Sequence, residues 1–262
     1  MAPKTSVDEL YGEIWAGEDP DLAEAPPARG TTWLFDAFAA LGPRAGELVV
    51  DIGARDAKHA IQLVEQHGLR GIALDPVEHH VVLARRAVAD AGVDVEVVQA
   101  GIEEMPIDDG VADWIWCRDV LVHVELERGF AECARILRLG GQMLAYVTCA
   151  TDALEPRETA ALFDAVAIVP ESTQSEAIER HAANAGLNLV SKTELGGEWR
   201  ERMLEDGTWS ANDALLRLSR LRRSGADLED PRVAAYVADT TWGVYQLLGK
   251  TCPTVYVWAS ST

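Results

Sequence analysis

Apolar and polar positions alternate along this chain in two rhythms. Short apolar runs predict strands at Glu47–Ile52, Gly71–Leu74, Val93–Val98, Trp114–Cys117 and Gln142–Cys149. Stretches with helical spacing lie between them. Ala57–Gly68 places Ala60, Leu63 and Val64 on one face, and Val77–Ala91 and Leu126–Leu137 behave alike. Gly140-Gly141 is the expected stop signal of the last of these. Strands alternating with helices of ~10–15 residues imply βαβ units and a mainly parallel sheet. Right-handed crossovers then put helices on both faces. Ahead of the first strand, helices are predicted near Val7–Trp15 and over Thr32–Leu41. After Thr151 the rhythm changes. Thr159–Ala167 and Gln174–Ala185 predict helices, and Leu187–Glu194 and Thr254–Ala259 predict strands. The intervening Glu198–Leu248 is expected to be mostly helical and carries Trp199, Trp209, Trp242 and Tyr245.

This pattern divides the chain into an N-terminal helical lid segment (1–45), an α/β domain (46–197 and 250–262) and a helical insertion (198–249). No run approaches the ~20 apolar residues of a membrane span. No secretory leader is read at the N-terminus, so a cytoplasmic location is expected.

Composition narrows the function classes. The formal net charge is -20, which disfavours nucleic acid and anionic membranes as partners. Arg217, Arg220, Arg222 and Arg223 have the spacing of a solvated helix face. The cysteines, Cys117, Cys133, Cys149 and Cys252, form no CxxC pair, so buried free thiols are expected and no metal site. A small-molecule substrate is the expected partner, and a homodimer stays open.

The candidate chemistry begins at Val49-Val50-Asp51-Ile52-Gly53, where a strand turns into a helix. A glycine at such a turn lets the backbone approach a ligand closely, and the following helix offers unpaired N–H groups. The next residues, Ala54-Arg55-Asp56-Ala57, are not glycine-rich, which argues against a pyrophosphate ligand. Asp75 ends the second strand, where an acid can accept from ribose hydroxyls. Ala100-Gly101-Ile102-Glu103-Glu104-Met105-Pro106 follows the third strand. Asp113-Trp114-Ile115-Trp116-Cys117-Arg118-Asp119 leads into Val120-Leu121-Val122-His123-Val124. Ala134-Arg135-Ile136-Leu137-Arg138-Leu139-Gly140-Gly141 closes the series.

Taken in order, these segments resemble the class I S-adenosylmethionine-dependent methyltransferases, especially their small-molecule branch. The resemblance covers roughly residues 46–151. It implies a doubly wound, Rossmann-like seven-stranded sheet in the order 3-2-1-4-5-7-6, with S-adenosylmethionine as cofactor. It further implies that Asp51 and Gly53 shape the loop around the methionine part and that Asp75, with Pro76 beside it, serves the ribose. Ile102 and Glu103 would flank the adenine. Cys117 would offer its backbone to the methionine amino group, with Arg118 next to it. The family loop usually reads V-L-D-[IV]-G-C-G-[TS]-G. Arg55 and Ala57 stand where that loop has its later glycines, and Gly101 stands where an acid usually meets the adenine amine. Arg55 either binds the cofactor carboxylate or is a surface arginine paired with Asp56 or another acid.

Methyl transfer requires the acceptor atom to be held in line with the methyl carbon and water to be excluded. The acceptor atom, O, N or C, stays open at this point. His123 is the candidate general base; the alternative is a helix-start histidine bonded to backbone. His59 could face the same crevice, whereas His79 and His80 are expected near the adenine end. Glu171, Glu198, Trp199 and Tyr245 are the candidate acceptor-binding residues, with Arg200 and Trp242 beside them. Tyr11, Trp15, Arg29 and Trp33 could close over the cofactor. The rival functions are a nicotinamide oxidoreductase, which lacks its glycines here, and a protein of this fold with a non-methylating role. Methyl transfer to a small molecule, in specialised biosynthesis, is the function the sequence favours.

Overall fold

The computed structural model describes residues 27–261. The helix expected at Val7–Trp15, and with it Tyr11 and Trp15, lies outside the described residues. Helix α1 (Trp33–Ala40) precedes β1 (Leu48–Ile52), α2 (Lys58–His67), β2 (Arg70–Leu74), α3 (Glu78–Ala91), β3 (Val95–Val98) and β4 (Ala112–Arg118). Then come α4 (Leu126–Ile136), β5 (Leu137–Ala150), α5 (Pro156–Ala165), α6 (Ser175–Asn184) and β6 (Leu187–Glu194). The stretch expected to be helical resolves into α7 (Glu198–Glu205), α8 (Ala211–Arg223) and α9 (Pro231–Leu247), and β7 (Thr251–Ser260) follows.

The strands form a seven-stranded sheet ordered β3-β2-β1-β4-β5-β7-β6. β7 runs antiparallel to both neighbours, and the other pairings are parallel. Side chains of successive strand residues point to opposite faces, and the cores on the two faces follow that period. Ile115, Cys117, Met143, Ala145, Tyr256 and Trp258 join the cluster that includes Phe130 and Cys133 of α4 and Leu162 of α5. Trp114, Trp116, Leu144, Tyr146, Val255 and Val257 join the cluster with Leu34 and Phe38 of α1, Leu63 of α2 and Trp199 of α7.

Gly140-Gly141 does not stop α4 as the sequence suggests. The helix has already ended at Ile136, and Leu137 pairs with Ala112 of β4. The register then shifts between Ala112 and Trp114. Gly140 sits at φ +74°, and a Cβ on Gly141 would lie 2.9–3.1 Å from the carbonyl oxygens of Arg138, Ala112 and Asp113. The pair shapes a bulge within β5, where only glycine lets two backbones come this close.

The sheet order reverses between β1 and β4. Such a switch point opens a crevice beyond the carboxyl ends of the strands. Register places Ile52 opposite both Leu74 and Cys117, so the turns after β1, β2 and β4 emerge side by side. Among the described residues no helix is long and apolar enough to cross a membrane.

Candidate active site

The turn after β1 is built from backbone. Gly53 and Ala54 both donate their N–H to the carbonyl of Leu74, at 2.8 and 3.0 Å, and Arg55 donates its own to Asp75 Oδ2 at 2.9 Å. Asp75 Oδ1 accepts from Val77 N–H and lies 3.1 Å from His80 Nδ1. One buried carboxylate thus ties the first turn to the second. A carboxylate has about four lone-pair sites, so one remains for a further donor such as a ribose hydroxyl.

The turn keeps the backbone of a glycine loop without its glycines. Gly53, Arg55 and Ala57 all occupy the left-handed region, at φ +72°, +51° and +58°. For residues other than glycine this conformation costs roughly 1–2 kcal/mol each. Ala57 is the N-cap of α2 and has no side-chain acceptor to give. Asp51 supplies one from β1 instead, accepting the N–H of Ala60 at 3.1 Å. Burial pushes the Asp51 carboxyl up to about 7, with the neighbouring Asp75 adding to the rise and the Ala60 bond opposing it. Cys117, beside it on β4, is fully buried, and burial raises its thiol to about 12.

A cleft of about 450 Å³ opens over this turn, lined by Gly53, Ala54, Arg55, Asp56, Lys58, His59, Arg118 and Asp119. Arg118 is gripped. Its Nη1 donates to His59 Nε2 at 3.1 Å, and its Cζ lies 5.4 Å from the Trp199 ring and 5.9 Å from the Tyr146 ring. Tyr146 and Trp199 themselves stack at 4.3 Å. Because arginine only donates, His59 accepts and is neutral. Burial first and Arg118 second lower its pKa to about 4. Cations at Arg118 and Lys58 beside carboxylates at Asp56 and Asp119 complement the two charges of an amino-acid moiety. The donor set and the left-handed turn therefore fit the methionine end of S-adenosylmethionine, which Gly53, Arg55 and Arg118 would hold.

Asp119 was not singled out by its sequence context, yet it joins two cavities. It lines the cleft above and also a pocket of about 160 Å³ with Val122, His123, Val166, Ile168, Asp239 and Trp242. Its φ is +55°, and Thr148 holds its carboxylate through backbone N–H (3.0 Å) and hydroxyl (2.9 Å). Burial raises the Asp119 carboxyl above the ordinary range, against the Thr148 bonds. His123 sits on a 3-10 turn, Leu121–His123, with Nδ1 3.0 Å from the carbonyl of Ala167. A carbonyl only accepts, so Nδ1 carries the proton, and in the neutral ring Nε2 is left as an acceptor.

Other expected residues lie apart. Pro76 is exposed, and its carbonyl accepts from Gln99 Nε2. Ile102 is buried against Gly129. Glu103 accepts the backbone N–H of Glu125 at 2.9 Å and pairs with Arg128 at 3.5 Å. Glu171 pairs with Arg180 and His181. Glu198 makes a two-pronged pair with Arg29, 2.6 Å on each prong, and Arg29 also lies over Trp33. Trp199 is buried under Tyr146. Tyr245 donates to Glu158 at 3.2 Å and lines a separate cavity of about 500 Å³ with Glu158 and Arg222.

Comparison with known proteins agrees with this geometry. Residues 50–145 match the family model described as a methyltransferase domain. The chain is 33% identical over 148 residues to a sarcosine/dimethylglycine N-methyltransferase of Halorhodospira halochloris, covering 53% of each chain. It is 31% identical over 146 residues to the 27-O-demethylrifamycin SV methyltransferase of Amycolatopsis mediterranei (strain S699), covering 52% of each. These matches span about half the length of either relative. Its fold is similar to that of a putative sarcosine dimethylglycine methyltransferase from Galdieria sulphuraria, with a TM-score of 0.70, 18% identity, and 97% and 98% of the two chains covered. Residues 50–145 are thus similar to a methyltransferase domain, and the strand order is that of the fold which the resemblance to class I S-adenosylmethionine-dependent methyltransferases implies.

Proposed function

We propose that the chain transfers a methyl group from S-adenosylmethionine to the amine nitrogen of a small-molecule acceptor. The observation that carries this reading is the pocket beside Asp119. Two carboxylates (Asp119, Asp239), an imidazole (His123) and an indole (Trp242) surround about 160 Å³. Carboxylates and an aromatic face together recognise an ammonium group. The pocket adjoins the cofactor cleft through Asp119, so an amine held there lies next to the methionine end. The name of the Halorhodospira relative, an N-methyltransferase, supports nitrogen as the acceptor atom.

When bound, S-adenosylmethionine would supply a methyl carbon on a sulfonium, open to in-line attack by a nitrogen lone pair that forms the N–C bond as the C–S bonding pair leaves with sulfur. The residues of the chain orient and deprotonate. Asp119, fixed by Thr148, holds the cationic amine in place. His123 Nε2 accepts the proton that an ammonium must lose to free its lone pair. Val122, Val166, Ile168 and Trp242 give the pocket its apolar wall.

The reading is tested by incubating the protein with methyl-labelled S-adenosylmethionine and a panel of amines, alcohols, thiols and carbon acids. Label is expected in amines, with one equivalent of S-adenosylhomocysteine per methyl group. Label confined to alcohols or carbon acids overturns the nitrogen assignment. Consumption of an acceptor with no methyl gained would favour a non-methylating reaction on this fold.

A further inference from the structure

Beyond the amine pocket lies a second cleft of about 470 Å³, and Asp239 lines both. Arg200 lines this second cleft, together with Arg217, hydroxyl residues and the carboxylates Asp213 and Asp239. In a chain of net charge -20 several arginines near the surface find an acid, as Arg29, Arg135, Arg138 and Arg180 do. Arg200, half-buried, forms no ion pair among the described residues. Its Nε donates to Gln246 Oε1 at 3.1 Å, its Nη1 lies 3.6 Å from Met203 Sδ, and its Cζ stands 5.2 Å over the Trp209 ring.

The placement is built. Gln246, the hydrogen-bond acceptor, is a buried polar residue at 4% exposure. Gly243, inside α9, makes the room: a Cβ there would lie 3.2 Å from Arg200 Cζ and 3.2 Å from Trp209 Cζ2. A glycine in a helix interior costs roughly 0.5–1 kcal/mol relative to alanine, so this position gives up helix stability to admit the guanidinium and the indole. Arg200 is also among the charges that act on the buried phenol of Tyr146, as Arg118 and Asp119 are, so all three lie within electrostatic range of one ring. A guanidinium oriented by neutral partners keeps donors for a planar anion, which it binds with two parallel hydrogen bonds.

We infer that Arg200 determines acceptor specificity by receiving the carboxylate of an amino-acid acceptor whose nitrogen lies beside Asp119. This rests on the amine reading above. The cavities run in sequence: cofactor cleft, Asp119, amine pocket, Asp239, Arg200 cleft. Acids at one end and a cation at the other match the two ends of a zwitterion. A zwitterion also approaches a strongly anionic protein without the net repulsion that a simple carboxylate meets.

The test titrates the full chain, saturated with S-adenosylhomocysteine, with N,N-dimethylglycine and with N,N-dimethylethanolamine, which lacks the carboxylate. The wild type is expected to bind dimethylglycine at least ~10-fold more tightly. R200Q is expected to weaken dimethylglycine binding by about 30-fold or more. Its affinity for dimethylethanolamine and for S-adenosylhomocysteine should be unchanged, which shows that the fold is intact. R200K should recover part of the loss, since it restores charge without the fork. G243A, which crowds the guanidinium without removing it, should weaken dimethylglycine several-fold with the same controls. Equal binding of both amines by the wild type, no binding of dimethylglycine, or full affinity in R200Q overturns the inference. A labelled-methyl assay on the same samples reads the amine assignment separately. Arg200-dependent binding without N-methylated product would sink that assignment and leave the carboxylate anchor standing.

Discussion

The two halves of the crevice are made in different ways. The cofactor half is set by backbone. Asp51, Gly53, Arg55, Asp75 and Arg118 lie at the ends of three adjacent strands whose register puts Ile52 opposite both Leu74 and Cys117. Their positions follow from the sheet itself. The half proposed for the acceptor is lined by side chains from elements far apart in the chain: His123 after β4, Val166 and Ile168 after α5, Arg200 on α7, Asp239 and Trp242 on α9. Asp119 belongs to both. Such a division lets one half be kept while helix packing redefines the other, and the same fold then serves different acceptors. Changes in the first half should therefore damage folding and cofactor binding, and changes in the second should damage acceptor binding and turnover while leaving both intact.

The largest effect is expected at Gly53. Its φ is +72°, and an added Cβ would meet Val120 Cγ2 at 2.2 Å. Gly53→Ala combines left-handed strain with overpacking, so a loss of about 2–4 kcal/mol is expected in the denaturant midpoint. Adding Val120→Ala should return the packing part and leave the strain. If the double variant is no more stable than the single one, the contact with Val120 is not what constrains the turn.

His123→Gln is the counterpart in the acceptor half. The fold and S-adenosylhomocysteine affinity should be unchanged, and turnover of an amine should fall about 100-fold at neutral pH. The defect should shrink as the pH rises past the pKa of the acceptor amine, because a free base needs no proton removed. A defect that stays constant with pH would assign His123 to positioning through the Ala167 bond, not to proton removal.

Much of the first half could be read from the residues. Alternation of Trp114 and Trp116 with Ile115 and Cys117 marks two buried sheet faces, and the two cores divide there. The positions of Asp51, Gly53 and Asp75 are legible because Asp51 interrupts an apolar strand near its end and Gly53 and Asp75 each follow one. What could not be read is conformation that contradicts residue type. Arg55, Ala57 and Asp119 are left-handed without being glycine; Asp75 holds the Arg55 backbone, and Thr148 holds the Asp119 carboxylate. Gly140-Gly141 reads as a helix stop and is a bulge, since a glycine pair serves either purpose. In the acceptor half, an aromatic or acidic residue on a helix announces no direction. Tyr245 lies in a cavity apart from the amine pocket, while Asp239 faces that pocket without any local signal.

Asp51 offers a smaller effect, confined to the cofactor half. Its carboxyl is raised from the unfolded value of 3.8 to about 7 by burial. The native state therefore holds a proton that the unfolded state releases first. Its contribution is fully present below pH 3.8 and is lost as the pH rises through about 7. Between pH 5 and 8 the wild type should lose about 2 kcal/mol more than Asp51→Asn does, measured as paired denaturant midpoints. Identical pH profiles would show that Asp51 is ionised throughout, with Arg118 outweighing its burial.

The smallest effect is expected at Arg55, and it separates two origins of the same turn. Arg55 is exposed, and its guanidinium makes no hydrogen bond or ion pair among the described residues. Arg118 is by contrast held by His59 and the Tyr146–Trp199 stack. If the turn needs only its left-handed backbone, Arg55→Gly relieves about 1 kcal/mol of strain and loses a similar amount to the freer unfolded chain. Stability should then stay within about 0.5 kcal/mol, and affinity for S-adenosylmethionine within about 3-fold. Arg55→Ala keeps both the strain and the stiffer unfolded chain and removes the charge, so it should bind equally well and match Arg55→Gly in stability to within about 0.5 kcal/mol. A tenfold loss of affinity in both variants would instead make Arg55 the partner of the cofactor carboxylate. The cofactor half would then depend on a side chain as the acceptor half does, and the division between them would hold only for Gly53, Asp51 and Asp75.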